Sequence, residues 1–147
     1  MTFIELQKEV IHLAEHEQDV LAAYLTMLRH ERDPEWEKTL SRKVREEQPD
    51  KWVELDEFLK SWWMLDYCLF INIEILDSIK SIRGSRRVEI NEFLLRLRSD
   101  PSMKGDFQKD KEGRTLEVKV FGKYSIYFWA DHAVKEVKVV ELLKSDH

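Results

Sequence analysis

The hydrophobic period changes partway along this sequence, and that change limits the folds open to it. Through about residue 60 the apolar residues recur every three or four positions, the spacing of amphipathic helices. From Leu116 they alternate, with Leu116, Val118 and Val120 on one side and Glu117 and Lys119 on the other, the spacing of a half-buried strand. Helices first and a run of strands last, joined by short turns, make an α+β protein with an antiparallel sheet.

The first half reads as helix. Thr2 and Glu5 have the spacing of a capping box. Ile4, Leu6, Val10, Ile11, Leu13 and Ala14 follow at helical spacing, and the polar run Glu15 to Asp19 interrupts them. Val20, Leu21, Tyr24, Leu25 and Leu28 resume the stripe, which predicts a helical hairpin. Asp33-Pro34 starts a third helix carrying Trp36, Leu40 and Val44, and Gln48-Pro49-Asp50 ends it. Val53 to Trp63 is a further amphipathic piece, read as helical around Asp56 to Trp62. These stripes are narrow, and so short a segment is marginal alone. Leu21, Leu25, Leu28, Trp36 and Leu40 are therefore expected to pack against the second half, of the same chain or of a second copy.

The second half begins with a dense apolar run, Asp66 to Ile71, suited to a buried strand. Ile73, Leu76, Ile79 and Ile82 share one helical face; Arg83-Gly84-Ser85 breaks the chain; Val88, Phe93, Leu94 and Leu97 form the next stripe, stopped by Asp100-Pro101. A meander follows: Leu116 to Val120, the turn Gly122-Lys123, Tyr124 to Ala130, a turn over Asp131 to Lys135, and Val137 to Leu143. The expected units are residues 1–63, helical, and 64–147, a helical hairpin packed on an antiparallel β-sheet.

Composition removes several classes. Four glycines and three prolines rule out collagen-like and linker architectures, and one cysteine rules out an internal disulfide framework or a cysteine-built zinc site. The start, Met1-Thr2-Phe3-Ile4-Glu5, does not read as a secretory signal, and the apolar stretch Trp62 to Ile71 is too short to span a bilayer. A cytoplasmic protein with no membrane partner and no cofactor is expected. Residues 1–63 carry 9 basic and 15 acidic side chains, and residues 64–147 carry 15 and 14. An acidic half beside a near-neutral one suggests two units that attract each other.

Residues 64–147 resemble the RelE/ParE toxins of bacterial toxin–antitoxin systems. The resemblance rests on the strand Tyr67 to Ile71, the helical pair Ile73 to Arg98, and Leu97-Arg98-Ser99-Asp100-Pro101 with Gly105. It continues through Gly122-Lys123-Tyr124-Ser125-Ile126-Tyr127 and the strand Val137 to Leu143. Residues 3–60 look like the short antitoxins encoded upstream of such toxins, through the helical pair at Leu13 to Leu28, Asp33-Pro34-Glu35-Trp36-Glu37, and Trp52-Val53-Glu54-Leu55.

The resemblance implies an antitoxin joined to its toxin, acting on ribosome-bound mRNA or on DNA gyrase. If the domain is active, it implies an endoribonuclease in which the RNA's own 2′-hydroxyl attacks while basic side chains hold the phosphates. Lys119, expected to face outward, matches one family lysine, with His132 or His147 as a titrating partner. Ser125 and Glu117 stand where basic residues are expected, and the chain stops at His147 where an Arg/Tyr-bearing tail would follow, so weak or no cleavage is expected. Further RNA-binding candidates are Arg83, Arg86, Arg87, Lys109, Lys111, Arg114, Lys123 and Lys144. The alternative implied role is a catalytically inactive interaction or regulatory module of the same fold, including one that forms a homodimer.

Other patterns favour plainer readings. His12-Leu13-Ala14-Glu15-His16 matches H-x-x-E-H, a zinc-protease pattern, but no large catalytic domain accompanies it, so a polar helix face is the preferred reading and no metal is expected. Cys68 lies in an apolar run without an adjacent base and reads as a core thiol. Trp36, Trp52, Trp62 and Trp63 sit among acidic residues and read as helix-to-sheet anchors rather than base-stacking platforms. Lys109, Lys111 and Arg114 alternate with acids and read as a mixed-charge loop.

Overall fold

The computed structural model describes residues 1–54 and 67–145. Helices α1 (Phe3–Val10), α2 (Glu15–Glu31) and α3 (Pro34–Arg45) come first, then a 3-10 turn at Pro49–Lys51. Strands β1 (Trp52–Glu54) and β2 (Cys68–Asn72) precede helices α4 (Ile73–Ser81) and α5 (Ser85–Ser99). The strands β3 (Phe107–Lys111), β4 (Arg114–Phe121), β5 (Tyr124–Asp131) and β6 (Glu136–Lys144) complete the chain. The six strands form one sheet in the order β1-β2-β6-β5-β4-β3, antiparallel at every neighbour except β2–β6. The fold is α+β. Among the described residues no helix is long and apolar enough to cross a membrane.

Local chemistry explains the boundaries. Thr2 caps α1 through a complete capping box with Glu5, and Asp33 caps α3 with Pro34 in its first turn. Asn72 ends β2 and caps α4 by accepting from the Glu74 N–H. The two-residue turn Glu112-Gly113 joins β3 to β4 with φ positive at both positions, and Gly122, at φ 60°, opens the β4–β5 turn.

Two readings of the sequence differ from the structure here. Val53, at the head of the amphipathic piece Val53 to Trp63, lies in β1, paired with Ile71; the part read as helical, Asp56 to Trp62, along with Trp63, falls outside the described residues. Lys109 and Lys111, placed in a loop, lie on β3 at the sheet edge. The expected antiparallel sheet is present, with one parallel neighbour pair, β2 beside β6.

Both faces of the sheet are covered. On one, Leu69, Ile71, Phe121, Ile126, Phe128, Val137 and Val139 pack against Ile75 and Ile79 of α4 and Ile90, Phe93, Leu94 and Leu97 of α5. On the other, Leu116, Val118, Tyr127, Trp129, Val140 and Leu143 pack against Met27 of α2, Leu40 and Val44 of α3, and Trp52. A bulge at Val140 serves the second face: Phe128 pairs with Val139 and Tyr127 with Glu141, leaving Val140 as an extra residue on β6.

The loop before β3 is pinned against β4. Gly105 donates to Glu117 at 2.8 Å, and Asp106 accepts from the Val120 N–H at 2.8 Å. A Cβ on Gly105 would lie 2.5–2.6 Å from the Val118 backbone, which cannot give way without breaking the ladder. Gly105→Ala should cost about 3 kcal/mol, the upper end of ordinary overpacking. Gly113→Ala meets open space and pays only for its φ of 72°, about 1 kcal/mol. Urea unfolding of both variants checks the contrast, and equal losses would contradict it.

Candidate functional site

The feature that most distinguishes this molecule is the interface between α2–α3 and the sheet. Ala23, Thr26 and Met27 form the buried face of α2, at i, i+3 and i+4. Small residues there let the helix approach the sheet closely, and the buried Thr26 hydroxyl is satisfied by the Ala22 carbonyl at 2.8 Å. Leu40, Lys43 and Val44 form the buried face of α3. Of the residues expected at this interface, Leu40 is fully buried, and Trp36, Leu21 and Leu28 are half-buried. Leu25 is 44% exposed: the stripe Leu21, Leu25, Leu28 lies on the side of α2 nearly opposite its buried face, which corrects the expected packing.

Polar groups are built into this interface. Lys43 of α3 and Glu141 of β6 form an ion pair at 3.3 Å with side chains only 7% and 8% exposed, and Glu141 also accepts from the Trp36 indole N–H at 3.1 Å. Trp36 meets the Tyr127 ring edge-on at 6.3 Å. Burial, then the carboxylates of Glu141, Glu31 and Glu37, push the Tyr127 phenol far above its ordinary pKa, so it stays neutral.

The sheet's cations are engaged from above. Lys109 on β3 lies between Glu31 of α2 at 2.8 Å and Glu37 of α3 at 3.0 Å, and over the Trp36 ring at 5.6 Å. Lys111 pairs with Glu37. Arg114 stacks on Trp129 at 4.4 Å, and Lys138 lies between Trp52 at 5.3 Å and Trp129 at 5.5 Å. Carboxylates of α2 and α3 thus meet a basic, aromatic sheet face.

Burial alone would raise the Glu37 carboxyl, but Lys111 and Lys109 outweigh it and hold the group below its ordinary value. Burial likewise works to lower the Lys109 ammonium, and Glu31 and Glu37 overcome that and raise it. A lowered carboxyl contributes stability that is present above its unfolded value and is lost as pH falls through the folded one. A raised lysine contributes stability that is present below its unfolded value and is lost as pH rises through the folded one. The latch therefore holds through neutrality. Stability should fall as pH drops below the ordinary carboxylate value and through the lower folded one, and Glu37→Gln should flatten part of that fall. Urea titrations of both proteins across this range check it; parallel pH curves would exclude the latch.

The remaining candidates do not converge. Lys119 was expected to face away from the core, but it lies on the α4–α5 face opposite Ile126, paired with Asp106 at 3.6 Å. The expectation failed because Leu116 and Val118 face a second core under α2–α3. Asp106 also meets His16 of α2 at 3.1 Å, so His16 and Lys119 flank one carboxylate, a grouping the sequence reading missed. His132 lies in the β5–β6 turn, hydrogen-bonded to the Tyr67 hydroxyl at 2.7 Å; His147 falls outside the described residues.

Arg86 lies against the Gly122 turn, where Lys123 also sits, and Lys144 pairs with Tyr124 at that same end of the sheet. Arg83 is exposed at the α4–α5 corner, and Arg87 donates to the Lys80 carbonyl. The structure therefore splits the basic candidates between opposite ends of β4, with Lys109, Lys111 and Arg114 at the other. His12 lies in the turn before α2, while Glu15 and His16 open that helix. Among the described residues no three metal-ligating side chains stand together. Cys68 is half-buried at the start of β2.

Comparison with known proteins finds no matching family model, no matching curated protein and no matching solved structure.

Proposed function

We propose that this chain is a self-masked effector of the toxin–antitoxin kind: residues 67–145 form the RelE/ParE-like effector, and α2–α3 act as its antitoxin. The observation that carries the reading is the salt-bridged cover itself. Glu31 and Glu37 occupy the lysines of β3, so a polyanion can reach Lys109 and Lys111 only when the helices lift. Lifting them would also expose Leu116, Val118, Trp129 and Leu143, an apolar surface that a free domain would carry at a cost. Messenger RNA and DNA gyrase are the target classes the resemblance implies. Expected cleavage by the freed domain is weak or absent, because Lys119 is the single family-matched cation and lies on the other face of the sheet.

The test is to express residues 64–147 alone, the full chain, and residues 64–147 together with residues 1–63 from a second gene. The fragment alone should arrest growth or precipitate, the full chain should be tolerated, and the second gene should restore growth and solubility. Protein synthesis and DNA supercoiling in arrested cells separate the two targets. A soluble, harmless, monomeric fragment would overturn the reading.

A second reading is a permanent interaction module, and the buried Lys43–Glu141 pair favours it, since it ties α3 to β6 within the core. In that case the fragment should fail to fold even when residues 1–63 are supplied.

A further inference from the structure

Helix α1 is amphipathic, and among the described residues nothing buries its apolar side. Leu6, Val10, Phe3, Ile11 and Ile4 share one side, with Gln7 among them, and Glu5, Lys8 and Glu9 occupy the other. Phe3 is 72% exposed, Ile4 63% and Ile11 70%, and no residue of the helix is buried. Eight residues are too few for a helix to persist in water on propensity and a capping box alone. Its apolar side requires a partner.

A matching surface lies on the same chain. The outward stripe of α2, with Tyr24 at 40% and Leu25 at 44% exposed, continues into an open apolar groove of about 430 Å³ floored by Leu13, Val20, Leu21, Tyr24 and Phe107. The groove borders the sheet at Phe107, which Tyr24 meets edge-on at 5.3 Å, and lies beside the buried face of Ala23, Thr26 and Met27. None of the groove's lining residues comes from α1. The corner between the helices is held: the Gln18 amide donates to the Val10 carbonyl at 3.1 Å and to the Leu13 carbonyl at 3.3 Å. That clamp fixes the turn between α1 and α2.

We propose that the occupant is the α1 of a second copy, so that two chains exchange their N-terminal helices across a two-fold axis. An interface of this type is self-complementary, as a closed dimer requires. Two helices seated in two grooves give a contact on the order of the usual 800 Å² per partner. Charge fits as well: Lys8 flanks the apolar side one turn from Ile4, and Glu17 stands on the rim of the groove. The proposal stands independently of whether the sheet domain is a toxin.

Sedimentation equilibrium of the full chain tests it. The wild type should dimerise in the micromolar range or tighter. Phe3→Asp with Leu6→Asp removes the arm, and Tyr24→Asp with Leu25→Asp removes the groove. Each pair lies on exposed side chains and should raise the dissociation constant at least about tenfold while each monomer still unfolds cooperatively. Mixing the two variants should produce a heterodimer, since one intact arm then meets one intact groove. Lys8→Glu and Glu17→Lys should each weaken the dimer, and together restore it. A chain monomeric up to about 100 μM would overturn the exchange, as would a dimer indifferent to both variants. Binding of α1 to anionic vesicles without self-association would also overturn it and would identify a lipid surface as the occupant.

Discussion

Glu141→Ala should lower the stability of the full chain by about 3–5 kcal/mol, out of proportion to the few atoms removed. The pair that it breaks is almost dry: the Lys43 ammonium and the Glu141 carboxylate are 3.3 Å apart, with side chains 7% and 8% exposed. Removing the carboxylate leaves a buried ammonium without a counter-charge, and it also orphans the Trp36 indole N–H. The cost comes from those stranded groups rather than from the attraction lost. Lys43→Met with Glu141→Gln should therefore recover most of the stability, since it removes the charge and keeps an acceptor for Trp36. Urea unfolding of the single and double variants decides the matter. A loss below about 1 kcal/mol for Glu141→Ala would show that water reaches the pair.

The sequence made some of this architecture plain and concealed the rest for identifiable reasons. The α4–α5 hairpin and the strands from Leu116 to Leu143 were legible because their apolar period, turn glycines and caps all agreed. Strand β3 was not. Its inward side chains are Phe107, Lys109 and Lys111, and lysine reads as solvent-facing unless its partners are known. Those partners, Glu31 and Glu37, lie more than seventy residues earlier. A charge pattern examined locally looks like a loop; only tertiary pairing makes it a strand.

The orientation of α2 misled for a different cause. Leucines mark a core face by size, and Leu21, Leu25 and Leu28 are spaced as one. The sheet instead receives Ala23, Thr26 and Met27, because close approach favours small and pliable side chains. A helix with two apolar sides cannot be oriented from its own period. The same ambiguity affected Lys119: once both faces of β4 are buried, alternation says that neighbours point oppositely but not which side is which.

Leu40→Ala and Leu97→Ala should cost similar amounts, about 3–5 kcal/mol each, because both leucines are fully buried and both deletions leave a cavity. Their consequences should differ in place. Leu40 belongs to the core under α2–α3, and Leu97 belongs to the core under α4–α5. If the helical cover is a separable unit, Leu40→Ala should accelerate amide exchange in α2, α3 and β3 while β5, β6 and α5 keep their protection, because the cover then opens without global unfolding. Leu97→Ala strikes the frame on which the cover rests and should accelerate exchange throughout. The growth assay should follow the same division, with Leu40→Ala releasing toxicity in the full chain and Leu97→Ala abolishing the toxicity of residues 64–147. Uniform loss of protection in both variants would instead describe one cooperative molecule, and a cover that cannot leave the sheet intact cannot serve as its antitoxin.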